Sequence, residues 1–299
     1  MTVELRPMGA LPFCKGTVML PKDRRSALAG MALAAPSRPP VVWVHRALNV
    51  AVSALGARWL PRSARSVWPE WLGPDGAEHL IADLRASLGA FDAVALHVPR
   101  QPGRRSLAMV VIRDGEARAF VKAKPDAAAL ALEGAALAAL SDEGPCALRI
   151  ARPIARGSAC GVDWLATTVV EGRHLPTFGE PGPEYDAWLL ERLGPVLGDG
   201  APAHWAPAHG DLAPWNLRRR AGGTWLLDWE SVGWAPPGAD RTYFRAARAV
   251  LLREAPEAAP AEAVDYWIAK VEVRAEGGDP LNRHLLEVLP RMRDAADRA

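Results

Sequence analysis

Residues 209–230, with the sequence HGDLAPWNLRRRAGGTWLLDWE, constrain this chain more than any other stretch. Two acidic side chains, Asp211 and Asp228, bracket the amide of Asn216, and a short loop or hairpin joins each pair. Transfer of a phosphoryl group from a nucleotide needs such a set of groups. One carboxylate orients the attacking hydroxyl, while an amide and a second carboxylate bind Mg²⁺. The segment therefore predicts a loop and hairpin that gather these side chains for phosphoryl transfer.

Size and composition bound the class of protein. A chain of 299 residues that is 49% hydrophobic and 23% charged is typical of a soluble globular protein with one large domain or two lobes. The 36 basic and 34 acidic residues leave a net charge of +2, which gives no indication of nucleic-acid binding. Cys14, Cys146 and Cys160 lie far apart, so we expect reduced thiols in a cytoplasm rather than disulfides. We recognise no signal peptide, and the polar residues within Val41–Leu60 predict no integral membrane span.

The sequence pattern changes at about residue 90. Residues 1–89 are rich in proline and contain helical patterns over Arg24–Ala35, Val41–Trp59 and Ala77–Leu88. No cluster of chemically functional side chains occurs there. We therefore expect a helical N-terminal extension of unassigned role that packs on the neighbouring lobe.

The pattern of residues 90–172 is mainly that of strands, and the pattern of residues 173–299 is mainly that of helices. The elements expected within residues 90–172 are strands over 93–98, 107–112 and 117–123, a helix over 127–140, and strands over 150–159 and 164–170. The elements expected within residues 173–299 are helices over 184–197, 240–253, 261–275 and 281–298. The pattern predicts an α+β fold in which a small sheet region precedes a mainly helical one.

These residues resemble the aminoglycoside phosphotransferase and choline kinase family of small-molecule kinases. The resemblance covers about Ala90 to the C-terminus and rests on HGDxxPxN followed twelve residues later by an aspartate at the end of an apolar strand. It implies a bilobal protein-kinase-like fold, with an antiparallel N-lobe and hinge over 90–172 and a helical C-lobe containing the catalytic loop over 173–299. It also implies ATP and Mg²⁺ as cofactors and a small-molecule hydroxyl as acceptor, whether aminoglycoside-, sugar- or amino-alcohol-like.

The resemblance assigns roles to the acidic residues and the amide. Asp211 falls on the catalytic aspartate, and Asn216 and Asp228 fall on the two magnesium ligands. The alternative is that each of the three is an ordinary turn or strand-end residue. His209 is expected to brace the loop backbone rather than to transfer a proton.

A lysine and a glutamate provide a second, independent pair. Lys122, in the segment AFVKA of the third strand, resembles the lysine that contacts the α- and β-phosphates; Lys124, on the same side of the strand, is the alternative. Glu133 is the only ionisable residue between Ala127 and Leu140. A carboxylate that faces inward needs a partner, and Lys122 is the expected one, with a solvent-facing Glu133 as the alternative.

The remaining nucleotide contacts are less specific. The loop at 100–106 lacks GxGxxG, but Arg104, Arg105 and Ser106 could donate hydrogen bonds to the triphosphate; a solvated hairpin tip is the alternative. The hinge near Thr168–Glu171, including Thr168 and Val170, would hold the purine through backbone groups. Residue identities there do not distinguish ATP from GTP.

The acceptor and the oligomeric state stay open at this point. A cationic antibiotic would need carboxylates in the C-lobe, for which the candidates are Glu230, Asp240, Glu254, Glu257, Glu262 and Asp265. Four tryptophans could stack on a sugar or alkyl face or could fill the core: Trp205, Trp229, Trp234 and Trp267.

Two other functions compete with a small-molecule kinase in the cytoplasm. One is a catalytically silent kinase-like module that binds a nucleotide or a partner protein, although such modules usually lose the lysine or a metal ligand, and neither is lost here. The other is a membrane-surface or glycan-pathway kinase, suggested by the proline-rich extension and its basic helix.

Overall fold

The computed structural model describes residues 8–13, 16–34, 39–61, 68–99, 105–140, 144–145, 148–170, 180, 182–220, 223–277 and 279–297. The chain divides into two compact units. The first comprises residues 1–134 and 151–171, and the second comprises residues 135–150 and 172–299.

The helices and strands alternate in the order expected of an α+β protein. The strands are β1 (Met8–Phe13), β2 (Gly16–Pro21), β3 (Ala93–Pro99), β4 (Leu107–Arg113), β5 (Glu116–Lys124), β6 (Leu148–Ile150), β7 (Pro153–Ala159), β8 (Val162–Thr167), β9 (Ala206–Ala208), β10 (Leu217–Arg220), β11 (Gly223–Leu226) and β12 (Gly233–Ala235). The helices are α1 (Arg24–Gly30), α2 (Pro39–Leu55), α3 (Gly73–Leu88), α4 (Ala127–Ala139), α5 (Pro183–Leu197), α6 (Ala239–Leu252), α7 (Ala261–Ala275) and α8 (Pro280–Asp297). The predicted α+β class is confirmed.

The first unit is built on a seven-stranded antiparallel sheet with the order β1-β2-β3-β4-β5-β8-β7. Tight turns set the register of two of its hairpins. Asp114 and Gly115, between β4 and β5, both have positive φ angles of 56° and 78°, and so do Cys160 and Gly161 between β7 and β8, at 51° and 74°. Two residues in the left-handed region match the right-handed twist of the strands on either side.

Alternation along the strands divides the core of this unit between the two faces of the sheet. Val94 and Leu96 point toward a cluster that includes Leu80 and Leu84 of α3. Side chains one residue away along β3, such as Ala95, belong to a different cluster, which contains residues of α1 and α2. Because both faces are covered by helices, the central strands are almost wholly apolar.

The N-terminal extension is helical, as predicted, but it also supplies two strands. Its helical patterns correspond to α1 with a following 3-10 turn at Met31–Ala34, to α2 and to α3. The hairpin of β1 and β2 was not predicted, and β2 pairs with β3. Strand β1 contains Pro12, a residue that argues against a central strand, yet β1 lies at the edge of the sheet, where proline is tolerated.

The strand predicted over 150–159 is in fact two strands in different sheets. Strand β6 ends at Ile150 and runs parallel to β11 in the second unit, whereas β7 begins at Pro153 in the first. Both strands are short and adjacent in sequence, so periodicity alone cannot separate them.

The second unit is mainly helical. Helices α6, α7 and α8 share a core that includes Tyr243, Trp267, Leu285, Leu289 and Met292. Two small sheets, with the orders β10-β11-β6 and β12-β9, carry the segment that the sequence analysis singled out. Among the described residues, no helix is long and apolar enough to cross a membrane.

Candidate active site

The loop of residues 209–216 runs from the end of β9 to the start of β10. Its sharpest bend is at Gly210, where φ is +73° and a Cβ atom would collide with the backbone oxygen of Ser231. Only glycine meets both conditions without strain. A 3-10 turn at Pro214–Asn216 then leads into β10.

The β10–β11 hairpin returns the chain to this loop. Leu217 pairs with Leu226, and the Leu227 amide donates a hydrogen bond to the Asn216 carbonyl oxygen at 2.9 Å. Asp228 is the next residue, and it has a left-handed conformation with φ 69° and ψ 61°. The hairpin thus places Asn216 and Asp228 on adjacent chain segments, although twelve residues separate them.

The Asp211 carboxylate is held by two donors. Asn216 Nδ2 donates to Asp211 Oδ2 at 2.9 Å and to the Asp211 carbonyl oxygen at 2.8 Å. Arg274 Nη1, from α7, donates to Asp211 Oδ1 at 3.0 Å. Burial raises the pKa of Asp211, the Arg274 cation opposes that rise, and the nearby Asp228 carboxylate adds to it.

The groups around Asp211 fit a hard divalent cation. Because the Asn216 amide nitrogen faces Asp211, its Oδ1 atom is directed elsewhere, and the negative charge of Asp228 raises the pKa of Asp211. Mg²⁺ prefers oxygen ligands and is commonly bound by one or two protein groups with water and phosphate oxygens completing the shell. Among the residues described, no group of three or more His, Cys, Asp or Glu side chains is placed to hold a metal ion.

His209 is buried and serves the backbone. The Asp211 amide donates to His209 Nδ1 at 3.1 Å, so Nδ1 carries no proton. The Nε2–H group then donates to the Leu227 carbonyl oxygen at 3.0 Å, and the ring lies edge-on to Trp229. With both ring nitrogens engaged in this neutral form, the imidazole braces the loop and has no proton to exchange with a substrate.

Asp240, in the first turn of α6, anchors the same loop through hydrogen bonds to its backbone. Its Oδ2 atom accepts from the His209 amide at 2.7 Å and from the Tyr185 hydroxyl at 3.2 Å, and its Oδ1 atom accepts from the Gly210 amide at 3.0 Å. Burial raises the pKa of Asp240, against the effect of these donors. Asp240 was one of the candidate carboxylates for a cationic acceptor, but its side chain is buried and both of its oxygens accept hydrogen bonds from the loop backbone.

In the first unit, Lys122 and Glu133 form an ion pair. Lys122 Nζ lies 2.7 Å from Glu133 Oε1, and the two side chains are 21% and 4% exposed. Along β5, Val121 and Ala123 are buried in the sheet, which turns Lys122 and Lys124 toward the opposite face. A carboxylate as deeply buried as Glu133 requires such a partner.

For the other predicted nucleotide contacts, the structure gives burial and hydrogen bonds within the protein. Ser106 is half-buried immediately before β4, and Arg105 beside it is exposed, whereas Arg104 lies outside the described residues. The Thr168 hydroxyl accepts a hydrogen bond from the Arg152 amide at 3.0 Å, and Val170 is buried. Glu171 also lies outside the described part of the chain.

The carboxylates proposed for a cationic acceptor mostly have partners within the protein. Glu254 and Glu257 bind Arg248. Glu262 binds His204 and the Trp205 indole. Of the other candidates, Asp265 pairs with Arg293, and Glu230 is half-buried at the 3-10 turn after Asp228.

The four candidate tryptophans divide between the core and the surface. Trp229 and Trp267 are fully buried and belong to the core. The Trp234 indole donates to the Gly198 carbonyl oxygen, and the Trp205 indole donates to Glu262, so both are tied to neighbouring elements.

Comparison with known proteins gives structural likeness only. No family model matches the chain, and no curated protein matches it. A spectinomycin phosphotransferase solved with ADP and spectinomycin is similar with a TM-score of 0.47 and 11% identity, over 72% of this chain and 93% of that one. An aminoglycoside phosphotransferase, APH(4)-Ia, is similar with a TM-score of 0.42 and 12% identity, over 74% of this chain and 95% of that one. An amicoumacin kinase solved with AMP-PNP, Ca²⁺ and Ami is similar with a TM-score of 0.39 and 12% identity, over 72% of this chain and 78% of that one. At these values, what the chain does has to be argued from its own residues.

Proposed function

We propose that this chain is an ATP-dependent, Mg²⁺-assisted phosphotransferase that acts on a hydroxyl group of a small molecule. The observation that carries the proposal is the arrangement around Asp211, whose carboxylate is fixed by Asn216, while the β10–β11 hairpin returns the chain to Asn216 just before Asp228. A base for the hydroxyl and two oxygen ligands for a metal are the groups that phosphoryl transfer requires.

Asp211 would act on the acceptor. Its carboxylate accepts a hydrogen bond from the acceptor hydroxyl and aligns the oxygen with the γ-phosphorus. Burial raises the pKa of Asp211, which makes it a stronger base than an exposed aspartate. The hydrogen bond from Asn216 keeps the carboxylate in one orientation, and His209 and Asp240 keep the loop backbone in place.

Asn216 Oδ1 and the Asp228 carboxylate would hold Mg²⁺, which neutralises phosphate charge when bound. The left-handed backbone at Asp228 is uncommon for a residue other than glycine. Such conformations cost free energy and persist where the surrounding structure fixes them, often at functional sites. Here the conformation would direct the Asp228 carboxylate toward the metal.

Lys122 and Glu133 would serve the nucleotide from the first unit. The lysine ammonium would contact the α- and β-phosphate oxygens, and Glu133 would hold the lysine in place through their ion pair. Ser106 adds a hydroxyl donor to the phosphates. Thr168 and Val170 would offer backbone groups to the purine; at Thr168 this is the carbonyl oxygen, since its hydroxyl and its amide are both engaged with Arg152.

The cellular setting proposed for this enzyme is the cytoplasm. Cys160 is exposed and unpaired by any disulfide among the described residues, and a free surface thiol is stable where the environment is reducing.

The test measures ADP release and phosphorylated product over a panel of hydroxylated acceptors, for wild type and Asp211→Asn. We expect the substitution to lower kcat by about 10²–10⁴-fold, the usual range for loss of a general base. Asp265→Asn, which alters an exposed aspartate on α7, is the matched control and should turn over normally. Equal turnover by Asp211→Asn and wild type would refute the assignment. Nucleotide binding without turnover of any acceptor would favour a catalytically silent module.

A further inference from the structure

A cluster of aromatic rings and cations lies beside Asp211 in the second unit. Tyr243 of α6 stacks on Trp267 of α7, with ring centroids 4.0 Å apart and an interplanar angle of 17°. Tyr266 meets Trp267 edge-on at 5.5 Å. Lys270 and Arg274 follow on α7 at a spacing of four residues, which places both cations on the same side of the helix as these rings.

The two cations already contact the ring faces. Arg274 Cζ lies 5.8 Å from the Tyr243 ring centroid and 5.5 Å from that of Trp267. Lys270 Nζ lies 5.1 Å from the centroids of both Tyr266 and Trp267, and it donates to the Tyr266 hydroxyl at 2.9 Å. Aromatic faces gathered in this way are a typical binding site for a ligand cation, but here the protein's own cations take that place.

Only one of the two cations is paired with a carboxylate among the described residues. Arg274 pairs with Asp211, but no carboxylate oxygen of the described residues lies within 4.0 Å of Lys270 Nζ, whose hydrogen bond goes to a neutral hydroxyl. Burial and the nearby Arg274 lower the pKa of Lys270, while Asp240 and Asp211 act in the opposite sense. Asp240 is committed to the loop backbone. An anion that approached Lys270 would therefore relieve repulsion between the two cations.

The same surroundings disfavour a cationic acceptor. An amine brought toward Asp211 would meet Arg274 on the carboxylate and Lys270 one helical turn away. The carboxylates that could compensate, among them Glu257 and Glu262, already bind cations of the protein or a histidine. Like charges placed together in a half-buried site cost free energy that a neutral or anionic group does not incur.

We propose, building on the phosphotransferase function above, that the acceptor is a hydroxyl compound that also bears an anionic group, and that Lys270 binds this group while the hydroxyl meets Asp211. Arg274 adds positive potential between the two. Four residues of helix rise by roughly 6 Å, so the hydroxyl and the anionic group should be separated by a short carbon skeleton. Tyr266, which is only partly buried, would bound that skeleton on its apolar side.

The experiment compares acceptors that share a skeleton and differ in charge. The three-carbon series is glycerate, glyceramide, 3-aminopropane-1,2-diol and glycerol 3-phosphate; the six-carbon series is gluconate, gluconamide, glucamine and glucose 6-phosphate. Phosphorylated product and ADP are measured with each. In at least one series, we expect kcat/KM for an anionic compound to exceed kcat/KM for the amide and the amine of the same series by about tenfold. Comparison of the carboxylate with the phosphate compound then shows which anion is preferred. Equal or greater kcat/KM for the amines would overturn the inference while leaving the phosphotransferase function standing.

Variants of Lys270 test the contact directly. Lys270→Gln should raise KM for the preferred anionic acceptor about tenfold, equivalent to about 1.4 kcal/mol, and should change KM for the matching amide less than twofold. Lys270→Glu should shift the preference toward the amine. Arg293→Gln, which removes an exposed cation on α8, is the control and should show neither effect. A loss that is the same for the anion, the amide and the amine would assign Lys270 a merely structural role.

A binding measurement separates failure of this inference from failure of the phosphotransferase proposal. If no acceptor yields product, calorimetric titration with glycerate and gluconate in the presence of a non-hydrolysable ATP analogue decides the matter. Binding that Lys270→Gln abolishes would support the anion site and refute the transfer reaction. An absence of binding, with no product, would refute both.

Discussion

Asp240→Asn is the substitution whose effect follows most directly from the geometry of the catalytic loop. Each carboxylate oxygen accepts a backbone N–H, Oδ1 from Gly210 and Oδ2 from His209, and both groups are buried. Asparagine replaces one oxygen with an NH₂ group. Whichever way its amide is turned, that NH₂ faces a buried N–H, so one hydrogen bond is lost and one donor is left without an acceptor.

The magnitude can be worked from the number of contacts. Hydrogen bonds to a charged group contribute about 1.5–3 kcal/mol each, and an unsatisfied buried donor costs a further ~1–3 kcal/mol, partly relieved by relaxation. We expect Asp240→Asn to lower the free energy of unfolding by about 2–4 kcal/mol. Tyr185→Phe removes only the hydroxyl that donates to Oδ2 at 3.2 Å, so it should cost about 1 kcal/mol.

Urea denaturation followed by tryptophan fluorescence provides the assay. Asp265→Asn is the matched control, because its carboxylate is half exposed and its ion pair with Arg293 is a surface pair worth about 0–1 kcal/mol. If Asp240→Asn and Asp265→Asn shifted the free energy of unfolding equally, the idea that Asp240 anchors the loop would be refuted. Because the loop carries Asp211, kcat should also fall in Asp240→Asn even where the protein is fully folded.

Two further predictions concern charge at the active site. Arg274→Gln removes the cation that opposes the burial-driven rise in the pKa of Asp211, so that pKa should rise further. Since the base must be ionised, the acidic limb of the pH profile of kcat/KM should move to higher pH. Arg248→Gln, which alters a surface cation, should leave the limb in place, and an unmoved limb in Arg274→Gln would contradict the assignment. In the first unit, Lys122→Met should weaken ATP binding about tenfold or more, as loss of a partly buried charge contact of about 1.4 kcal/mol would. Lys124→Met should weaken ATP binding less. Calorimetric titration with ATP and Mg²⁺ measures both affinities. If Lys124→Met lost more affinity than Lys122→Met, Lys124 would be the phosphate ligand.

Local spacing explains which parts of the site could be predicted from the sequence. Asp211, Asn216 and Asp228 lie within eighteen residues on a loop and one hairpin, so their pattern is visible along the chain. The pair of Lys122 and Glu133 was predictable because a single carboxylate on an apolar helix requires a cation.

The residues that were missed come from distant elements. Arg274 is 63 residues from Asp211, and the anchor Asp240 is 30 from Gly210. Neither shares a spacing with the loop, and each looks like an ordinary helix residue in the sequence. Only the packing of α6 and α7 beside the loop brings them into contact with it.

Helices were likewise easier to predict than strands. The amphipathic periods of α3, α5 and α7 are long enough to be read from residue order. Strands β1 and β2, at six residues each, are interrupted by Pro12 and flanked by prolines, and β2 pairs with β3 through residues as distant along the chain as Met19 and Leu96. The sequence of a short strand does not indicate which distant strand it pairs with.

The pairing of β2 with β3 bears on how the gene for this protein can be shortened. Residues 1–89 look like a dispensable leader, yet they supply two strands and the helices that cover both faces of the sheet. Expression from residue 90 would leave the edge of β3 that faces β2 without its hydrogen-bond partners and would expose Val94, Leu96 and Ala95 to solvent. An exposed, flat, apolar edge strand is a template for self-association. A truncated protein of this kind should be recovered as aggregate, so any functional study of the extension has to proceed by point substitution within the intact chain.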